Sequence, residues 1–216
     1  MKPNPNDKIP NPNLPGLCYV KNVVKNPNVI VGDFTYYYDD ENAENFEDHI
    51  TNFYPFIGDK LIIGKYCDIA KGIEFVMNGA NHRMNCVTTY PFYIMGGDWG
   101  NALAPHTSEL PLKGDTIIGN DVWLGQNVTI MPGVHIGDGA IIGTNATVAS
   151  DIPAYCIAVG NPARVVKKRF DDELIGLLEE FKWWDKPVEE VDELIPLLSN
   201  SNLDEVKQEL KKRLNK

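Results

Sequence analysis

From Ile118 to Pro153 the sequence repeats in sixes. Bulky aliphatic residues take the first place of each hexad: Ile118, Leu124, Ile130, Ile136, Ile142 and Val148. Val122, Val128, Val134, Ala140, Ala146 and Ile152 take the fifth. The second place holds Gly119, Gly125, Met131, Gly137, Gly143 and Ala149. Turn-formers fill the third and fourth, as in Asn120-Asp121, Pro132-Gly133 and Asp138-Gly139. A helix of about 3.6 residues per turn scatters such a repeat around its surface. An extended chain that bends once per hexad does not. Its first and fifth places point inward, and Gly, Asn and Asp accept the left-handed angles that the corners require. Coils of this kind stack at about 4.8 Å, the spacing between strands, and bury a continuous apolar column. The repeat predicts a mainly β solenoid.

The same register reappears upstream. Val31-Gly32-Asp33-Phe34-Thr35-Tyr36 fits a hexad, and further hexads run from Ile63 to Ala80, with Cys67 at a small inward place. The period then breaks from Asn81 to Thr116. A long excursion inside a regular array costs chain entropy and marks function. Its glycines and prolines predict a wrapping loop rather than a packed element.

The chain thus divides into an N-terminal arm with aromatic loops (1–58), a solenoid (59–166) interrupted by the excursion (81–116), and a helical segment (167–216). Met1 to Gly16, rich in Pro and Asn, reads as extended or partly disordered. Tyr36-Tyr37-Tyr38 and Phe53-Tyr54-Pro55-Phe56 either pad the open end of the solenoid or line a pocket. Asp171 reads as the N-cap of a helix running through Phe181, and Pro187 as the opening of a second that reaches Leu198. Leu203, Val206, Leu210 and Leu214 make the apolar face of a third. These helices are expected to cap the solenoid end, whose strand edges need covering.

Composition removes several classes of function. The 216 residues carry a formal net charge of -10, against the basic field that nucleic-acid binding needs. No apolar run has the length of a membrane span, and the Asn/Pro-rich start lacks a signal-peptide core, so a cytoplasmic protein is expected. Cys18, Cys67, Cys86 and Cys156 form no C-x-x-C pair, and neither a zinc knuckle nor a redox motif is indicated.

Catalysis in such a scaffold needs a group that can take a proton near neutral pH. Of His49, His82, His106 and His135, the last ends a hexad and reads as an outer-surface residue. His49 lies in an acidic loop and His106 beside Pro105 on the excursion. His82 stands where the solenoid wall ends, between Asn81 and Arg83, and is the best-placed general base.

The surrounding run, Asn78-Gly79-Ala80-Asn81-His82-Arg83-Met84, resembles the signature of the xenobiotic acetyltransferases, a branch of the hexapeptide-repeat acyltransferases. Tyr90-Pro91-Phe92, Lys113-Gly114-Asp115-Thr116, Gly119-Asn120-Asp121-Val122-Trp123, Met131-Pro132-Gly133, Gly160-Asn161-Pro162 and Trp183-Trp184 add to the likeness. The form of the signature is more similar to the streptogramin A (virginiamycin) acetyltransferases than to the chloramphenicol branch.

The resemblance implies a left-handed parallel β-helix and a homotrimer with active sites between subunits. It implies that His82 takes a proton from an acceptor hydroxyl, which then attacks acetyl-CoA directly, without a metal. Trp123, Gly143, Thr144, Gly160, Asn161 and Pro162 are then assigned to the pantetheine path, and Lys167 and Lys168 to the CoA phosphates. Tyr37, Tyr54 and Leu110 match places that contact the antibiotic. Ser150 stands where the resemblance calls for lysine, and residues 101–108 match poorly. Chloramphenicol or another natural product is the alternative acceptor. Competing chemistries are a covalent route through Cys86, a zinc hydrolyase of the γ-carbonic-anhydrase kind, and a non-enzymatic binding module.

Overall fold

A computed structural model describes residues 3–102 and 104–216. Met1 and Lys2 of the arm and Leu103 of the excursion lie outside the described residues. The strands are short: β1 (Leu17–Tyr19), β2 (Val29–Val31), β3 (Tyr36–Tyr38), β4 (Ile50–Thr51), β5 (Leu61–Ile63), β6 (Asp68–Ile69), β7 (Glu74–Val76) and β8 (Thr116–Ile118). They continue through β9 (Trp123–Leu124), β10 (Thr129–Ile130), β11 (His135–Ile136), β12 (Ile141–Ile142), β13 (Thr147–Val148), β14 (Cys156–Val159) and β15 (Arg164–Lys168). The helices are α1 (Asp172–Phe181), α2 (Val188–Leu198) and α3 (Leu203–Arg213).

These strands form three sheets, ordered β1-β3-β6-β9-β12-β14-β15, β13-β10-β7-β4 and β11-β8-β5-β2. The chain visits the sheets in rotation, so each coil adds one strand to each sheet. The register follows the hexads. Ile63, Ile118 and Ile136 stack on one sheet, Ile69, Leu124 and Ile142 on the next, and Phe75, Ile130 and Val148 on the third. All of these first-place residues are buried, and Cys67 is buried with them. Strand pairing is parallel throughout, except where β1 lies antiparallel on β3 and β15 antiparallel on β14.

The corners are more specific than the repeat suggested. Left-handed φ falls on the fourth place of most hexads: Phe34, Tyr66, Gly72, Asp121, Asn127, Gly133, Gly139 and Asn145 have φ between 54° and 79°, and Tyr155 has φ 53° where Ile152 pairs with Ile136 and the count restarts. The third places do not share it. Three of these residues are aromatic, at a conformation that costs an L-residue about 1–2 kcal/mol. They stand on one corner, where the Phe34 ring stacks on Tyr66 at 4.9 Å and Tyr66 meets Trp183 at 4.7 Å.

That aromatic corner receives the helical segment. Leu174, Leu177, Leu178, Phe181, Leu194, Val206 and Leu210 pack around Tyr155 and Trp184, with Tyr66 and Trp183 at the margin. The helices therefore lie along a corner of the solenoid instead of capping its end. The last strand edge is covered by β15. Arg169 fastens the joint: Nη1 donates to the Gly139 carbonyl at 2.6 Å, stands 3.6 Å from Asp121, and its guanidinium lies over the Phe170 ring. Burial pushes the Asp121 carboxyl up to about 6, with Arg169 acting against it. The helix starts follow the expectation, since Asp171 caps α1 by accepting from the Leu174 N–H at 3.0 Å and Pro187 precedes α2. On α3, Val206 and Leu210 face inward while Leu203 remains exposed.

The N-terminal arm is tied down rather than loose. Asn22 Nδ2 donates to the carbonyls of Pro5 and Asp7, and the Tyr19 N–H donates to the Lys8 carbonyl. Among the described residues, no helix is long and apolar enough to cross a membrane.

Candidate active site

The excursion leaves the corner between β7 and β8 after a 3-10 turn at 78–80, and its described residues carry only short 3-10 turns, at 92–94, 97–101 and 107–109. Its first turn is held against the loop after β4, where the Gly79 N–H donates to the Asn52 carbonyl at 3.1 Å. A Cβ on Gly79 would sit 2.3 Å from that carbonyl oxygen and 2.3 Å from the Tyr54 ring. Glycine here lets an aromatic wall close directly onto the strand that leads to His82.

His82 is exposed at the mouth of a cavity of about 760 Å³. Its Nδ1 lies 3.0 Å from the backbone carbonyl of Thr89. A carbonyl can only accept, so Nδ1 carries a hydrogen, and in the neutral ring the lone pair then belongs to Nε2. Beside it, Arg83 pairs with Glu109 at 3.4 Å, and Glu109 also accepts from the His106 N–H at 2.9 Å. His106 thus helps shape the loop through its backbone.

The cavity wall is aromatic and apolar. It brings together His82, Tyr54 and Leu110 of the residues expected from sequence, and adds Phe56, Tyr90 and Phe92. Tyr54 and Phe56 stack nearly parallel, 5.6 Å apart with 9° between planes. Tyr90, Phe92 and Trp99 form an edge-to-face group, with Phe92 and Trp99 centroids 5.2 Å apart. Such a wall suits a large, partly apolar ligand. The two aromatic clusters of the sequence therefore part company. Tyr54 and Phe56 line the cavity, whereas Phe53 packs on the core.

Tyr37 is not brought to the cavity within the chain. It is fully buried in β3, with its hydroxyl 2.9 Å from His49 Nε2 and 3.2 Å from Asp39 Oδ2. Alternation along β3 turns its middle residue inward, a position the tyrosine run alone did not reveal. Cys86 lines the cavity and is the exposed one of the four cysteines. Its thiol lies 3.0 Å from the Thr88 carbonyl, while the anchored nitrogen of His82 is engaged by Thr89, so the two side chains are not paired.

The residues assigned to CoA fall in two groups. On the outer face of the seven-stranded sheet, Trp123, Ile141, Ile157 and Lys167 stand in register, and Trp123 is 49% exposed. Lys168 faces the other way, opposite Cys156, and pairs with Asp172. Gly143, Thr144, Gly160, Asn161 and Pro162 lie at the corner where the chain leaves that sheet after β12 and β14. A Cβ on Gly143 would meet Val159 Cγ1 at 2.8 Å, so packing between coils already accounts for this glycine. Gly160 has φ +94°, a left-handed angle that favours glycine, and its missing Cβ would meet the Pro162 carbonyl oxygen at an ordinary 3.7 Å. None of these residues lines the His82 cavity.

Thr89 escaped the sequence reading because it acts through its backbone carbonyl, which no residue type announces. Phe56, Tyr90 and Phe92 sat in segments already marked as aromatic, and only packing showed which rings share the cavity with His82.

Known proteins resemble the chain over most of its length. The family model "Bacterial transferase hexapeptide (six repeats)" matches residues 115–150. A "Probable macrolide acetyltransferase" of Lysinibacillus sphaericus is 55% identical over 80% of this chain and 96% of its own length. A "Chloramphenicol acetyltransferase" of Agrobacterium fabrum is 44% identical over 83% of this chain and 86% of its own. A "Virginiamycin A acetyltransferase" of Staphylococcus aureus is 43% identical over 97% of this chain and 94% of its own. With stacked hexad coils, an oriented histidine and relatives of this identity over most of their length, the chain belongs to the xenobiotic acetyltransferases of the hexapeptide-repeat superfamily and is an acyltransferase enzyme.

Proposed function

We propose that this enzyme transfers the acetyl group of acetyl-CoA to a hydroxyl of an antibiotic, with streptogramin A of the virginiamycin M type as acceptor. The observation that carries the reading is His82, held through Nδ1 on the Thr89 carbonyl at the mouth of an aromatic cavity. Nε2 takes the acceptor's hydroxyl proton while the oxygen attacks the thioester carbonyl. The carbon–sulfur bond then breaks, and the proton on Nε2 passes to the departing CoA sulfur. Holding both substrates at one imidazole supplies proximity as well as base catalysis. Tyr54 and Leu110 form part of the acceptor wall. Trp123, Gly143, Thr144, Gly160, Asn161, Pro162, Lys167 and Lys168 remain the proposed CoA contacts, whereas Tyr37, fully buried in β3, is left out of the acceptor wall.

The proposed CoA corner follows β12 and β14, and His82 follows β7, on a different corner of the coil. A site that uses both corners is completed by a neighbouring copy, which supports a homotrimer with clefts between solenoids. A left-handed winding belongs to the same reading, as does a cytoplasmic setting where acetyl-CoA is available. The relative named for macrolides, at 55% identity, favours a macrolide as the second acceptor to try, with chloramphenicol after it.

Thiol release from acetyl-CoA tests the proposal, with virginiamycin M, a macrolide and chloramphenicol supplied in parallel. Turnover with virginiamycin M that collapses in His82→Ala is the expected result. Turnover with another acceptor alone overturns the streptogramin assignment and keeps the chemistry. Turnover undiminished in His82→Ala overturns the base.

A further inference from the structure

Asn78 lies four residues before His82 and is fully buried. Its backbone N–H and its Nδ2 both donate to Asp59 Oδ2, at 3.0 and 2.8 Å. Nδ2 donates again to the Gly114 carbonyl at 2.7 Å. Oδ1 accepts from the Lys113 N–H at 2.8 Å and from Asn81 Nδ2 at 3.3 Å. Both donors and both lone pairs of one amide are therefore used. They join the outgoing strand of the excursion, its returning strand and the residue next to His82. Asp115 adds a parallel tie by accepting from the Lys60 N–H at 2.8 Å.

The Gly79 N–H on the Asn52 carbonyl and the Arg83–Glu109 pair add to these ties. Met84, Val87, Tyr90, Ile94, Met95 and Trp99 are all exposed, so the described part of the loop has no buried core of its own. Its shape descends from the neck, and the neck is built on Asn78. Aspartate has no hydrogen to donate there, serine is too short to span the two strands, and glutamine is a methylene too long. The solenoid column does not require an amide, because Phe75 and Met77 already fill the inside.

We propose that Asn78 is a positioning residue for the transfer reaction: it clamps the neck of the excursion and so holds His82 at the cavity with Nδ1 on Thr89. This rests on the reading of His82 as the base.

The test compares Asn78→Ala, Asn78→Asp and the pair Asn78→Asp/Asp59→Asn in the full chain. Two readouts are taken beside the melting temperature: steady-state transfer from acetyl-CoA to virginiamycin M, and the ring-nitrogen NMR signals of His82. Asn78→Ala is expected to lower kcat by about 100-fold, the scale of a displacement near 1 Å, and to leave the KM for acetyl-CoA within about twofold. Its His82 signals move from the Nδ1–H form toward the mixture of a free imidazole. Asn78→Asp places a second carboxylate against Asp59 and behaves at least as badly. The double variant removes that repulsion and supplies an amide at position 59 that donates in the reverse direction, so it regains part of both the rate and the Nδ1–H signal. Wild-type tautomer and kcat in Asn78→Ala, or no recovery in the double variant, overturns the proposal. Should Asn78→Ala fail to fold, Asn78→Ser is read by the same criteria. Should the wild type leave virginiamycin M untouched, the acceptor assignment fails by itself, and the tautomer signals still decide the role of Asn78.

Discussion

The ring of His82 turns its Nδ1 onto the carbonyl of Thr89, 3.0 Å away and seven residues along the chain. The contact settles a chemical question through geometry. An imidazole so bound presents Nε2 as a base and cannot present both nitrogens as donors while it stays neutral. His82→Asn is expected to lower kcat for acetyl transfer by about 100- to 10,000-fold. The melting temperature should barely move, because the side chain is exposed. Steady-state thiol release together with thermal melts checks both halves.

Tyr54 and Phe56 stack at 5.6 Å on the wall of the cavity that His82 lines. An aromatic pairing contributes about 0.5–1.5 kcal/mol beyond the area it covers. Tyr54→Ala should therefore raise the acceptor KM by roughly 2- to 10-fold, with the KM for acetyl-CoA little affected. An equal rise in both constants would show that this wall is not specific to the acceptor.

Gly79→Ala drives a methyl into a backbone oxygen and a ring at once. The Tyr54 ring can swing away, whereas the Asn52 carbonyl is backbone, held by the Gly79 N–H. Overpacking of this kind costs about 1–3 kcal/mol. Urea denaturation should record that loss, and the acceptor KM should rise with it because Tyr54 is displaced.

The Asp121 carboxyl is pushed up to about 6, mainly by burial at the joint with the helical segment. A raised folded-state value means the folded chain binds the extra proton from the unfolded carboxylate range up to about pH 6. Asp121 therefore makes folding less favourable as pH rises through that window. Asp121→Asn removes this dependence. Relative to the variant, the wild type should lose melting temperature between about pH 4 and about pH 7, and melts across that range test the sign.

Asn127 sits at a fourth place with φ +54° and donates to Asn145 Oδ1 one coil on, at 3.2 Å. Asn127→Val forces a β-branched residue into the left-handed region and should destabilise the chain by about 1–2 kcal/mol. Asn127→Gly should cost much less. Similar losses in the two variants, measured by denaturant unfolding, would point to the amide contact rather than the backbone angle.

The solenoid was legible because a six-residue period constrains every coil in the same way. Ile118, Leu124 and Ile130 announce their inward direction without knowledge of any neighbour. His82 was legible for a different reason: it interrupts that period at the place where the wall ends. Tyr37 shows the limit. Three tyrosines in a row carry no phase, and the strand alone decided that the middle one is buried. The helical segment shows it again. Asp171 and Pro187 marked where helices begin, because capping is local, but nothing local told whether the helices would cover an end or a corner.

The sequence by itself determined the stacked coils and the helix starts, since each depends on contacts within a turn or a repeat. Tertiary structure decided that Tyr54, Phe56 and Leu110 converge on His82, that Thr89 fixes the tautomer, and that Asn78 ties the excursion at its neck. Those contacts join residues far apart along the chain, many through backbone atoms that every residue shares, so no pattern of side chains could have announced them.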